Sequence, residues 1–255
     1  MTLAVHHLGL RSPEPVRRYA SGVAAFDAAL SGGFAFGRVH EFYAGEAGDP
    51  AAAAFAVILA GEMAGEAKPL FWLRTAKAAR AAGMLQAEGW RDLGGAPDAC
   101  LFVLAEDAKA LLRAAVDVLR GGSAGAVIAE TQGRLPELDL TASRRLSLAA
   151  EKSGIPLFLL FSDVEPAPSA AETRWRIASA PSRALAGNAP GFATFDIELL
   201  RQRSGPSGLS WQLEWDRDRR IFVETATSRA LVPAPLRRPA AAAGAGPVRL
   251  GQRAA

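Results

Sequence analysis

A chain of 255 residues, 50% hydrophobic and 22% charged, has the composition of an ordinary globular protein. That composition argues against wholesale disorder and fibrous architectures, and the length is enough to bury about three quarters of the unfolded surface in one large domain or two small ones. A single cysteine, Cys100, excludes an intrachain disulfide, and the absence of an export leader or a long apolar run points to a reducing cytoplasm and no membrane contact. The net charge of +3 is uneven: residues 231–255 carry four arginines and no acid, while the rest is nearly balanced.

Taken in chain order, residues 1–20 read as an N-terminal arm, with Pro13 and Pro15 followed by a short helix at Val16 to Tyr19. Five near-continuous apolar runs then predict strands covered on both faces: Arg38 to Tyr43, Leu70 to Arg74, Cys100 to Leu104, Ala126 to Glu130 and Pro156 to Phe161. Helices are expected between them at Ala51 to Ala64, Thr75 to Glu88, Glu106 to Leu119 and Leu140 to Ser153, with Gly121 and Gly154 as terminating glycines. The alternation is that of β-α-β units around a mostly parallel central sheet. From about residue 170 the texture changes, and Trp175 to Ala178, Ala193 to Leu200, Leu209 to Trp215 and Arg220 to Glu224 read as antiparallel strands, with a turn at Gly205 to Gly208. Residues 226–255, interrupted by prolines 233, 235, 239 and 247, read as a disordered basic tail rich in Pro and Ala.

The stretch from Ala44 through Gly45 and Gly48 to Asp49, Pro50 and Ala51 sits between a strand and a helix, where a phosphate-cradling loop would stand. Such a loop needs a lysine for the β- and γ-phosphates and a hydroxyl for magnesium, and this one offers Pro50 and Ala51 instead. Lys152 is the one lysine followed by Ser or Thr, and Glu151 precedes it where glycine is required. Asp49 suits an N-cap and Pro50 a first helical residue, so the helix end is satisfied from within and carries a negative charge that opposes a triphosphate. Glu130, after Ala126 to Ala129, stands where a magnesium-binding acid would, without its hydroxyl partner. The expectation is a degenerate nucleotide site: no ATPase activity, no cofactor and no metal.

Ser21 to Leu30, Gly32 to Phe34, Gly37 to Val39 and Glu41 to Tyr43 together resemble the opening of the RecA recombinase core. Ala142 to Glu151, Ser169 to Arg176 and Leu213 to Asp216 resemble the ImuA family of RecA-like accessory proteins in damage-induced mutagenesis, and the likeness covers roughly residues 20 to 225. The resemblance implies a RecA-like domain over 21–225 in which RecA's ATP-binding lysine and threonine map to Pro50 and Ala51 and its catalytic glutamate maps near Arg74 or Thr75. It further implies a non-catalytic role in SOS-induced translesion synthesis, with an ImuB-type polymerase homologue, an error-prone polymerase α subunit and RecA as partners. Two alternatives stay open: a cell-division inhibitor of the SulA type, and a RecA-like regulator that retains ATP binding.

Other constellations are weaker. Gly121 to Gly125 spells G-x-S-x-G but follows a helix and precedes a strand, the reverse of a nucleophile elbow, and reads as a turn. His40 reads as a core or edge residue of its strand, and one cysteine with three scattered histidines has no zinc spacing. Candidate partner or DNA contacts are Arg144 and Arg145 on a helix face, Arg174, Trp175 and Arg176, and Arg237 and Arg238 in the tail. Strand alternation would turn Trp175 inward and both neighbouring arginines outward.

Overall fold

The computed structural model describes residues 16–225 apart from 84, 186, 188 and 190. Short strands β1 (Arg18–Tyr19) and β2 (Phe34–Ala35) pair antiparallel around helix α1 (Ala24–Ala29). There follow β3 (Val39–Ala44), α2 (Ala51–Ala64), β4 (Leu70–Thr75), α3 (Ala76–Ala82), α4 (Ala87–Asp92), β5 (Cys100–Ala105), α5 (Ala108–Gly121), β6 (Ala126–Gln132), α6 (Leu140–Ser153) and β7 (Leu157–Ser162). Four more strands close the described chain: β8 (Thr173–Ser179), β9 (Thr194–Gln202), β10 (Leu209–Asp216) and β11 (Ile221–Glu224).

Nine strands form one sheet in the order β11-β10-β9-β8-β3-β7-β6-β4-β5. The run from β8 to β5 is parallel, and β9, β10 and β11 extend it antiparallel. The α/β class, the mostly parallel centre and the antiparallel C-terminal strands expected from the sequence are therefore present.

Helix α2 explains how the layers close. Its sequence is apolar on every side, the pattern of a helix with no solvent face, and nine of its fourteen residues are buried. The antiparallel wing covers it: Phe55 packs 5.4 Å from Phe195 and 5.2 Å from Phe222, while Phe42 meets it from the sheet at 5.7 Å. Helices α5 and α6 pack on the opposite face, where Leu111, Leu119, Leu146 and Ala150 cover β6 and β7. Both begin on an aspartate that accepts a backbone N–H, Asp107 from Ala110 and Asp139 from Ala142, and both end on a left-handed glycine, Gly122 and Gly154.

Four expectations need correction, the first being that β5 is covered on both faces: Leu101, Phe102 and Leu104 are exposed, because β5 stands at the edge of the sheet. The helix expected over Thr75 to Glu88 is two helices, because Gly83 takes φ 73° and ends α3, while Thr75 is the last residue of β4 and caps α3 through Ala78 N–H. The short helix expected at Val16 to Tyr19 is instead the strand β1, held to β2 where Gly33 lets the Tyr19 carbonyl approach. Gly122, not Gly121, is the left-handed residue after α5. The tail with Arg237 and Arg238, and the start of the arm, lie outside the described residues. Among the described residues no helix is long and apolar enough to cross a membrane.

Candidate functional site

In open parallel sheets, ligands gather beyond the carboxyl ends of the strands. A cavity of about 370 Å³ lies there, at the ends of β3, β4, β6 and β7, and is lined by Asp49, Pro50, Trp72, Arg74, Glu130 and Gln132 among others. Of the expected degenerate-loop residues, Gly48, Asp49 and Pro50 line it together with Glu130, while Gly45 and Ala51 do not.

The loop after β3 is bound to its own protein. Asp49 Oδ1 accepts from the Ala51 amide at 2.9 Å and from the Ser179 hydroxyl at 2.6 Å, and Oδ2 accepts from the Ser179 amide at 2.7 Å. Burial pushes the Asp49 carboxyl up, and the three hydrogen bonds reverse that, leaving it below its ordinary 3.8. Pro50 is helical, at φ −77° and ψ −4°, and its carbonyl accepts from Ala54 N–H. Gly45 is pressed against β8, where its amide donates to Ile177 and an added Cβ would come within 2.6 Å of the Ala178 Cβ. Gly48 has φ +80°, which permits the turn that delivers Asp49.

Deeper in the cavity, Arg74 at the end of β4 and Glu130 at the end of β6 form a buried pair, 7% and 4% exposed. Arg74 Nη2 donates to Glu130 Oε1 at 2.9 Å and Nη1 to the Gly83 carbonyl at 2.8 Å. Nε lies 2.7 Å from Oε2 without hydrogen-bond alignment, so that contact is electrostatic. Trp72 Nε1 donates to Oε2 at 2.8 Å. Both carboxylate oxygens of Glu130 are engaged by protein, and the register that sets Arg74 beside Glu130 follows from parallel pairing of β4 with β6. Gln132 Oε1 is buried with no hydrogen-bond partner.

Chemically, this cavity opposes a polyphosphate. An anion at its mouth would meet the Asp49 carboxylate, and Arg74, the one cation lining it among the described residues, is already paired with Glu130.

The remaining candidates separate. Arg174 is correctly on the face opposite Trp175 but does not point to solvent: its Nε donates to the buried Glu41 at 2.7 Å, and Nη2 reaches the Ser169 hydroxyl at 3.0 Å and the Ala167 carbonyl. Arg176 is partly exposed and pairs with Glu198 at 3.0 Å. Trp175 is fully buried, within 5.4 to 5.5 Å of Phe34 and Phe26, so its ring offers no face to a base. Arg144 and Arg145 are exposed on α6, and Arg145 borders a groove of about 460 Å³ with Lys109, Arg113 and Arg120 of α5, in which Asp117 and Glu137 also stand.

His40, expected in the core or at an edge, is fully buried on the central strand β3. Thr173 Oγ1 accepts from Trp175 Nε1 at 2.7 Å and sits 2.7 Å from His40 Nδ1, while Nε2 lies 3.0 Å from the Ala35 carbonyl. A carbonyl only accepts, so Nε2 carries the proton and Nδ1 accepts from the threonine. Burial lowers the His40 pKa from 6.5 to about 4.

Sequence reasoning missed Ser179, Trp72 and the Glu41–Arg174 pair. The last had a signal, since Glu41 and Arg174 are charges inside otherwise apolar strands, and a charge buried on a sheet needs a partner. Among the described residues no three His, Cys, Asp or Glu side chains gather as a metal site. Comparison with known proteins finds no matching family model and no matching curated protein.

Proposed function

We propose that this chain is a RecA-like protein that has exchanged nucleotide chemistry for protein contacts and serves as an ImuA-type accessory factor in error-prone translesion DNA synthesis. One observation carries the reading. The position between β3 and α2 that would cradle a phosphate is filled by Asp49, which is tied to Ser179, and the acid that would hold magnesium, Glu130, is tied to Arg74.

The parallel sheet, the strand-to-helix loop at its carboxyl end and the residue likenesses across 20 to 225 support a RecA-like ancestry. A sheet whose charged groups at the carboxyl end are paired within the protein is suited to holding partners in fixed positions. The partners in this reading are an ImuB-type polymerase homologue, the error-prone polymerase α subunit in the same complex, and RecA.

Co-purification of the full chain with an ImuB-type protein, beside a version ending at residue 225, tests the proposal. Stable capture is expected, with weakening on truncation if the arginines of the tail contribute. No capture by either form contradicts the assignment, and filamentation on overproduction would favour the division-inhibitor reading in its place.

A further inference from the structure

We propose that the outer edge of β5 is a docking strand, which takes an extended apolar segment of a partner protein, flanked by basic residues, as a tenth strand of the sheet. The proposal rests on the reading of the chain as a binding scaffold and names the surface and the chemistry of what it binds.

β5 is the last strand of the sheet and pairs only with β4 among the described residues. Its sequence, Cys100 to Ala105, contains no charge and no proline, so it lacks the devices that keep an exposed edge from recruiting another chain. Leu101, Phe102 and Leu104 are 49, 51 and 67% exposed, with Phe102 and Leu104 on one face of the strand and Leu101 on the other. The opposite edge is guarded: the Phe222 amide of β11 donates to the Ser21 carbonyl, and Gly22 lies against Ile221. Among the described residues, one end of the sheet is covered and the other, more apolar end is open.

Charge identifies the occupant. Asp98 precedes the strand and Glu106 and Asp107 follow it; all three are exposed, and none makes an ion pair among the described residues. Lys109, the nearest cation along the chain, borders the groove between α5 and α6 instead. A second copy added antiparallel, with Cys100 opposite Ala105, would set Asp98 against Asp107 at both ends, and like charges facing one another there are unfavourable. A segment with Lys or Arg at its ends meets acids at both. Strand addition of this kind draws affinity from main-chain hydrogen bonds and specificity from side chains on alternate positions, here beside Phe102 and Leu104.

The test uses the full chain and two labelled nine-residue peptides with the same Val-Thr-Val-Thr-Val centre, one with two lysines at each end and one with two glutamates. Fluorescence anisotropy is expected to show the lysine peptide binding about tenfold more tightly, with Leu104→Lys weakening it by at least about the same factor. Amide hydrogen exchange at residues 100–105 should slow on binding. Leu104 is exposed, so the variant should fold, and circular dichroism checks that it does. Equal binding of both peptides, or unchanged exchange in β5, overturns the proposal. So does concentration-dependent dimerisation abolished by Leu104→Lys, which would make a second copy the occupant. Capture of an ImuB-type protein that survives Leu104→Lys, with no peptide bound, overturns the edge assignment and leaves the scaffold reading standing. Peptide binding at β5 with no ImuB-type capture supports the edge and counts against that partner.

Discussion

The carboxylate of Asp49 receives both the hydroxyl and the amide of Ser179, at 2.6 and 2.7 Å, so the loop after β3 is fastened to the end of β8 by 130 residues of sequence separation. A phosphate-binding loop presents its amides to a ligand, whereas this one presents a carboxylate to its own sheet. The N-cap residue of α2 is Pro50, not Asp49 as the sequence suggested, so replacing Asp49 with Ala removes its hydrogen bonds to Ala51 and Ser179 and should destabilise the protein by about 1 kcal/mol. Urea unfolding checks the magnitude, and increased hydrogen exchange at Ser179 should accompany it.

Arg74 and Glu130 are expected to behave as a buried pair whose members depend on each other. Arg74→Met leaves Glu130 buried without its charge partner and should cost about 3–5 kcal/mol, whereas Arg74→Met combined with Glu130→Leu should recover much of that loss. Chemical denaturation of the two single variants and the double variant closes the cycle; additive losses would show that the pair is not coupled.

These two clusters show what could be read in the chain and what could not. Helix α2 and the apolar runs of β3, β4, β6 and β7 were legible because burial on both faces leaves an unbroken hydrophobic signature. The break at Gly83 was not, since Ala76 to Ala82 and Ala87 to Asp92 have helical composition and a glycine's left-handed φ is decided by tertiary packing. Asp49, Glu130 and Arg74 could each be placed at the end of a strand or the start of a helix. That Arg74 meets Glu130 depends on β4 lying beside β6, a crossover order that no local pattern encodes. For the same reason Arg174 read as an outward charge until Glu41 of the neighbouring strand was seen beside it.

His40 makes the stability pH-dependent. Its folded pKa, about 4, lies below the ordinary 6.5, so between these values the unfolded chain binds the proton and the folded one does not. Stability from this group is complete above about pH 6.5 and is lost as pH falls through 4, by on the order of 3 kcal/mol in total. Urea midpoints measured from pH 7 to pH 4 should show this decline, and a His40→Gln variant should lack its share of it.

Gly33 has φ +109°, and a Cβ built there would stand 1.9 Å from the Tyr19 carbonyl oxygen. Gly33→Ala should separate β1 from β2 and expose Phe34, which is otherwise packed against Phe26 and Trp175. A loss of about 2 kcal/mol or more, with a change in tryptophan fluorescence, is the expected outcome.

The central claim is that the carboxyl end of this sheet is closed to nucleotide by its own side chains. Calorimetric titration of the full chain with ATP and magnesium tests it most directly. The account predicts no saturable binding at millimolar ATP. Stoichiometric, magnesium-dependent binding that disappears in a Glu130→Gln variant would contradict it.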